Sequence, residues 1–315
     1  MARSKKIIVT GGSGYLGTVL VHKLLANNYR VTVVDTEPFV GRGRFEDKAL
    51  EVIRGNFSDE HILNQCLPET FAVIHLAGIS DGRQGRKQPG FTREINFKAS
   101  KILVDAAKAA GVQQFLFAST FGVYGNNHNE LLRENLPVCP AEPYSQSKAD
   151  LENYLSGQAH ETFCPVTLRL AMIYGLSPKM RYDLIVNQMI REAVEKGELF
   201  VWGGDQKRPQ IHIQDAANYF TRLLEVPPQE INGEVFNAGN DNIAIRDLAF
   251  IIAENVHRPV KIRFQPARKN ENSFELDSSK IRERLGFVPQ FHIKDAVVEI
   301  EQNLLINNQN SGLVE

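Results

Sequence analysis

The chain is poor in cysteine, balanced in charge and without a long apolar run, and each shortage removes a class of protein. Its three cysteines, Cys66, Cys139 and Cys164, are odd in number and never spaced C-x-x-C, which argues against both a disulfide framework and a zinc site. They read as small buried apolar side chains. The eight histidines are scattered and form no H-E-x-x-H pattern, so no metal centre is expected. Thirty-six Lys and Arg stand against 37 Asp and Glu, a net charge of -1. Such a balance provides no positive field to hold nucleic acid or an anionic membrane, and the short cluster of Arg3, Lys5 and Lys6 reads as solvated. No apolar run reaches the ~18 residues a membrane span needs, and "MARSKK" passes straight into a strand pattern with no apolar h-region. The expectation is a cytoplasmic protein whose partner is a small molecule.

At 315 residues and 43% hydrophobic content, the chain can bury a substantial core. Short β-branched or apolar runs, "KIIVT", "RVTVVD", "LEVIRG", "FAVIHLAG", "QFLFAST" and "CPVTLRLAMIYG", alternate with amphipathic stretches such as Thr92 to Ala110 and Tyr144 to His160. Continuous apolar strands separated by helices predict a parallel sheet covered on both faces, the doubly wound α/β class. After Tyr174 the rhythm weakens. A helix near Asp183 to Lys196, strands near "LFVWG" and "PQIHI", and helices near Ile245 to Asn255 and Ile293 to Leu305 suggest a second, smaller α/β substrate lobe. The division expected is a Rossmann-type domain over residues 1–174, with a return segment at about 211–238. The smaller lobe takes 175–210 and 239–315, and the closing "NNQNSGLVE" reads as a frayed tail.

The stretch "IIVTGGSGYLG" places Gly11, Gly14 and Gly17 where a strand hands over to a helix. Glycine there allows a tight turn, close approach of backbone to a pyrophosphate, and close packing of helix on strand. The helix start then offers N–H groups and a positive dipole end to the phosphates. Eighteen residues past Gly17, the strand "VTVVD" ends in Asp35. A carboxylate at that point accepts from the ribose hydroxyls of an adenosine and repels a 2′-phosphate, so NAD is favoured over NADP. Arg42 and Arg44, close by, are the residues that would serve NADP instead.

A second constellation is "YSQSK". Tyr144 and Lys148 are four residues apart and share one helix face. An ammonium beside a phenol favours the phenolate, so Tyr144 is expected to exchange a proton with a substrate hydroxyl nearer neutral pH than its usual ~10 allows. Upstream, "FASTFGVYG" ends a predicted strand, where the ligands of open α/β sheets gather. A hydroxyl there, Thr120 or Ser119, can donate to a developing oxyanion; the plainer reading of both is as capping or core-edge hydroxyls.

With these residues the chain resembles the extended short-chain dehydrogenase/reductase family, particularly its nucleotide-sugar epimerases and dehydratases. "TGGSGYLG" is similar to the family's glycine motif, "GNFSD" to its adenine-contacting segment, "HLAG" to a stretch that usually reads H-L-A-A, "REIN" to the helix start around Asn96, and "YSQSK" to its Tyr-Lys pair. The resemblance implies that NAD is held by Gly11, Gly14, Tyr15, Leu16, Gly17, Asp35, Asn56, Phe57, Leu76, Ala77, Gly78 and Lys148. It carries Thr120, Tyr144 and Lys148 onto the catalytic positions. In the second lobe "GGDQKRPQIHIQD" looks like a degraded G-D-G-x-Q-x-R-D-F-I-H-V-x-D and nominates Arg208 for the nucleotide diphosphate. "PARKNE" is similar to a later arginine segment and nominates Arg268, while Arg181 of "SPKMRYD" is a candidate wall of the sugar pocket beside Ser119 and Thr120. Met172 stands where the family commonly has a sugar-contacting Asn, Pro209 and Gln210 replace Asp and an aromatic, and Asn270 and Glu271 replace Gly-Asp.

The function so implied is an NAD-dependent epimerase of a nucleoside-diphosphate sugar, most simply at C4 through a keto intermediate, in a homodimer paired through two helices per subunit. Ile102, Leu103, Leu151 and Tyr154 are the candidate apolar contacts. A 4,6-dehydratase is disfavoured because Phe121 and Gly122 follow Thr120 where similar dehydratases have Asp-Glu. An NADPH-consuming ketoreductase is disfavoured by Asp35. A dehydrogenase of another small hydroxy compound is left open by Met172. A non-catalytic dinucleotide sensor is disfavoured by the presence of both Tyr144 and Lys148.

Overall fold

The computed structural model describes residues 4–37, 48–80, 86–125, 130–267 and 272–311. The strands, in chain order, are β1 Lys6–Thr10, β2 Arg30–Asp35, β3 Leu50–Arg54, β4 Thr70–His75, β5 Gln114–Thr120, β6 Leu131–Leu132, β7 Cys164–Leu170, β8 Met172–Tyr174, β9 Glu198–Trp202, β10 Lys207–His212, β11 Val235–Ala238, β12 Asp241–Ala244, β13 Lys261–Gln265 and β14 Glu275–Leu276. The helices are α1 Tyr15–Ala26, α2 Glu60–Cys66, α3 Pro89–Arg93, α4 Ser100–Ala109, α5 Pro143–Ser156, α6 Ile185–Lys196, α7 Ile213–Leu223, α8 Pro228–Ile231, α9 Ile245–Asn255, α10 Ser279–Leu285 and α11 Ile293–Ser311. A π-helical turn, Glu94–Ala99, joins α3 to α4.

Seven strands form one sheet in the order β11-β7-β5-β4-β1-β2-β3, and every neighbouring pair is parallel. The chain moves outward from β1 in one direction and then returns to β4 on its other side, so the order reverses between β1 and β4. That reversal opens a crevice at the carboxyl ends of the strands. Alternation along each strand fills both faces. Ile7 and Val9 join Leu20, Leu24 and Phe220 on one side, while Ile8, Val34 and Val73 join Leu103, Leu151 and Phe117 on the other.

The apolar run "CPVTLRLAMIYG" is not one strand. It leaves the main sheet after Leu170, and β8 pairs with β10 in a separate three-stranded sheet with β12. A third cluster, including Val186, Ile190, Leu199, Leu248, Ile252 and Val297, packs α6, α9 and α11 over the pair β9 and β13. The closing segment is helical further than its polarity predicts, since α11 continues to Ser311. Cys66 and Cys164 are buried, whereas Cys139 is exposed, because the polar segment ahead of α5 runs over the surface. Among the described residues, no helix is long and apolar enough to cross a membrane.

Gly11 and Gly17 set the first turn. Gly11 adopts φ +72°, and a Cβ on it would lie 2.7 Å from the Ala77 amide nitrogen. A Cβ on Gly17 would lie 2.2 Å from the Gly11 carbonyl oxygen. Gly17→Ala therefore forces backbone against backbone, and is expected to lower the thermal midpoint by several degrees, on the scale of the ~1–3 kcal/mol that overpacking costs. A melting curve superimposable on that of the parent protein would refute that contact.

Candidate active site

A cavity of about 670 Å³ runs along the carboxyl ends of β1, β2, β4, β5 and β7. At one end it is walled by Gly11, Gly14, Tyr15, Leu16 and Gly17. Helix α1 starts there with Gly14 as N-cap, no side-chain cap and no acid in its first turn. Its first N–H groups therefore lack the usual side-chain partner, which suits an anion. Opposite stands Asp35, whose two carboxylate oxygens accept from the Ser13 and Glu37 amides at 3.1 Å each. The acid is thus fixed in place at the end of β2 while still lining the cavity. Asn56 and Phe57 line the same end. Asn56 accepts from the Ser58 amide at 3.1 Å, shaping the turn after β3. Phe57 packs edge-on against His75 with ring centroids 5.0 Å apart. Leu76, Ala77 and Gly78 follow β4 along the floor. An uncapped helix start, a glycine cradle and a fixed acid along one crevice fit a dinucleotide.

Tyr144 and Lys148 stand at the cavity's other end, with Ser119 and Thr120. Pro143 in the first turn and Ser145 Oγ, which accepts from the Glu142 amide at 3.3 Å, start α5 just ahead of the pair. Lys148 is 4% exposed. Its ammonium donates to the Ala118 carbonyl at 2.7 Å and lies 4.6 Å from the Phe117 ring centroid and 5.9 Å from that of Tyr144. Burial pulls the Lys148 ammonium down to about 8, opposed by the negative charge of Glu152. Burial likewise pushes the Tyr144 phenol up to about 12, opposed by the cation of Arg181. The direction is opposite to the lowering expected from the Tyr-Lys spacing, because removing the phenol from water outweighs the opposing charge of Arg181.

Thr120 both caps a turn and lines the cavity. Its hydroxyl accepts from the Gly122 amide at 3.1 Å, capping the 3-10 turn Phe121–Tyr124, and it lines the cavity with a proton still to donate. Ser119 lines the cavity too, but its hydroxyl donates to Glu152 inside the protein. Arg181 lines the cavity, pairs with Asp183 and donates from Nη1 to Ser80 Oγ at 2.8 Å. Arg208 is not among the lining residues. It donates to the carbonyls of Lys207 and Asn272 and lies over the Phe274 ring, because β10 turns it toward that strand's own neighbours. Met172 is also off the lining, with its sulfur 4.0 Å from Gln210 Nε2. Arg268, and likewise Arg42 and Arg44, lie outside the described residues.

Several wall residues carry no motif. Lys179, Met180 and Leu184 close one side, and Ile79, Phe91 and Ile95 another. Asn96, at the end of "REIN", is 2% exposed. Its side chain accepts from the Ile79 amide at 2.7 Å and donates to the Ile79 carbonyl at 3.0 Å, pinning the loop after β4. The Tyr15 hydroxyl reaches the second lobe, donating to the Gly175 carbonyl at 2.7 Å and accepting from Asn187 Nδ2 at 2.9 Å. Beside it, Ser177 Oγ donates to the Tyr15 carbonyl at 2.7 Å and lies 3.0 Å from Thr18 Oγ1.

Sheet order and crevice define a Rossmann-type α/β protein with a long channel at its strand-order reversal. Residues 7–239 match the model of the NAD dependent epimerase/dehydratase family, and the chain belongs to that family. Its cofactor is NAD. A dTDP-glucose 4,6-dehydratase of Streptomyces antibioticus is 28% identical over 303 residues, covering 90% of this chain and 88% of the relative. A UDP-glucose 4-epimerase of Mycolicibacterium smegmatis is 27% identical over 311 residues, covering 93% and 96%. Among solved structures, the UDP-glucose 4-epimerase of Thermotoga maritima with UDP-glucose superposes with a TM-score of 0.82 at 25% identity, covering 96% of this chain and 99% of that one. The UDP-glucose-4-epimerase of Stenotrophomonas maltophila, at 21% identity and a TM-score of 0.86 over 97% and 99%, shares the fold.

The fixed carboxylate at the end of β2 generates a binding prediction. Asp35→Ala removes a charged acceptor, a group worth about 1.5–3 kcal/mol, so NAD affinity measured by calorimetry should fall about 10–100-fold while the preference over NADP narrows. Unchanged affinity and unchanged preference would take Asp35 out of the site.

Proposed function

We propose that the protein is an NAD-dependent epimerase acting at C4 of a nucleoside-diphosphate sugar, with Thr120, Tyr144 and Lys148 as its reacting group. The observation that carries this reading is that these three residues meet at one end of a crevice whose other end holds the glycine turn and Asp35. Bound NAD supplies a reversible hydride acceptor. Tyr144 takes the proton from the sugar hydroxyl and returns it, and Thr120 donates to the same oxygen as charge develops. Lys148 holds the nicotinamide ribose and, close to the Tyr144 ring, stabilises the phenolate whenever it forms. The apolar walls Ile79, Phe91, Ile95 and Met180 exclude water from the exchange.

Dehydration is the second reading, given the relative named above, but an elimination needs a further acid and base beside the sugar, which similar dehydratases supply as Asp-Glu after the Ser/Thr. Among the described lining residues the carboxylates are Asp35 and Glu37, both at the far end by β2. Phe121 and Gly122 follow Thr120. Epimerisation is the chemistry these groups support.

The same reading includes the cytoplasm, where Cys66, Cys139 and Cys164, all free, would stay reduced, and a homodimer paired through α4 and α5. The described helices divide the four candidate contacts. Leu103 and Leu151 are 1% and 0% exposed, committed to the sheet, while Ile102 is 51% exposed. Tyr154 is half-buried, packed against the core with its hydroxyl donating to Asp105. Ile102 and the exposed part of Tyr154 are therefore the contacts available to a second copy.

Tyr144→Phe is expected to retain the fold and NAD yet lose at least ~10²-fold in turnover on the true sugar, the scale of a general acid–base group. A panel of UDP- and dTDP-sugars supplies the assay. Interconversion of epimers without net change in reduced-nicotinamide absorbance supports the reading, and stoichiometric accumulation or consumption of reduced cofactor would replace it with a dehydrogenase or reductase. For the assembly, light scattering should give a dimer mass, and Ile102→Glu should shift it toward the monomer; a monomeric parent protein would remove the dimer.

A further inference from the structure

Behind Tyr144 and Lys148 lies a row of buried polar groups outside the cavity. Glu152, one helical turn beyond Lys148, is 7% exposed and Arg169 of β7 is 6% exposed. Arg169 donates from Nε at 3.0 Å and Nη2 at 2.7 Å to Glu152 Oε2, while the Ser119 hydroxyl takes Glu152 Oε1. The remaining Arg169 nitrogen, Nη1, donates to the Tyr124 hydroxyl at 2.9 Å, and Tyr124 donates to Asn237 Oδ1 at 2.7 Å. Asn237 Nδ2 ends the row on the carbonyls of Leu132 and Asp277 at 3.0 Å each. A buried ion pair adds little net stability compared with apolar packing, so its place beside the reacting group asks for another account.

The connections supply one. Residue 118 accepts from the Lys148 ammonium, residue 119 is gripped by Glu152, and residue 120 is the threonine that faces the cavity. One carboxylate thus ties the end of β5 to α5. Lys148 is faced by Tyr144 and Glu152 from its own helix, by the Phe117 ring and Ala118 carbonyl from β5, and by His75 from β4. His75, held between Thr10 Oγ1 and Ser100 Oγ and pulled down to about 3 by burial, is neutral. Arg169 of β7 adds a cation that its pairing with Glu152 offsets. Among the described residues, Glu152 is the carboxylate that acts on the ammonium.

We propose that Glu152 is a positioning residue for the reaction, locking the strand end that bears Thr120 to the helix that bears Tyr144 and Lys148, and keeping Lys148 an ammonium. The proposal rests on the epimerase reading. Burial already draws Lys148 down to about 8, so removing the opposing negative charge lowers it further and the ammonium is lost at a lower pH.

The test uses the full chain with and without bound NAD, as parent, Glu152→Gln and Glu152→Asp. Two quantities are read against pH: kcat on the responding sugar, and the rate of Lys148 acetylation by acetic anhydride, followed by mass spectrometry. Glu152→Gln should move both the alkaline limb of kcat and the labelling midpoint down by about one unit or more, while Glu152→Asp, which keeps the charge on a shorter arm, should hold the midpoint near the parent's and lower kcat. A Gln variant whose curves superimpose on the parent's, with only a uniform loss of rate, would overturn the proposal and leave Glu152 a structural group. If Gln prevents folding, Asp decides alone: about tenfold lower kcat with unchanged NAD affinity supports positioning, and parental kcat refutes it. Should no sugar turn over in the parent protein, the epimerase reading fails, and the labelling midpoint still judges Glu152.

Discussion

The backbone of Gly17 rests on the carbonyl of Gly11, and the crevice takes its shape from that contact. Because neither position has room for a Cβ, α1 begins immediately at the end of β1 and lies close against the sheet. Its uncapped first turn therefore faces the cavity rather than solvent. The same turn places Ser13 where its amide holds Asp35, so the glycine turn and the acid at the end of β2 are fixed by one backbone path. Everything further along the channel is measured from there, since β4 and β5 are registered on β1 through parallel ladders.

At the opposite end the governing quantity is desolvation. A phenol, an ammonium and an imidazole all sit where burial disfavours their charged forms, and each is shifted in the direction that burial requires. His75 answers by remaining neutral between two hydroxyls. Tyr144 and Lys148 instead each keep one opposing charge, that of Arg181 and of Glu152, which burial outweighs.

What was legible in the residues was whatever is local. Strand, glycines, helix and Asp35 lie within one short stretch and carry their own geometry, and continuous apolar runs marked the sheet. The break after Leu170 was invisible because "CPVTLRLAMIYG" is apolar throughout; it depends on β10, far along the chain. The surroundings of Tyr144 were equally out of reach, since the walls of its cavity come from segments far apart in the chain, at Ile79, Phe91 and Met180. Arg208 shows the limit of motif likeness: the residue type matches, but the register of β10 gives it to the carbonyls of Lys207 and Asn272. Among the proposed pairing residues, helical spacing could not separate Ile102 from Leu103, because adjacent positions on a helix differ in facing only once the sheet's side is known.

The joint at Tyr15 holds the glycine turn from a second side. Its hydroxyl, with Asn187, Gly175, Ser177 and Thr18, fastens the start of α1 to the segment that follows β8. The turn is thereby clamped between the strand that precedes it and a backbone carbonyl 160 residues further along the chain, so its shape depends on both.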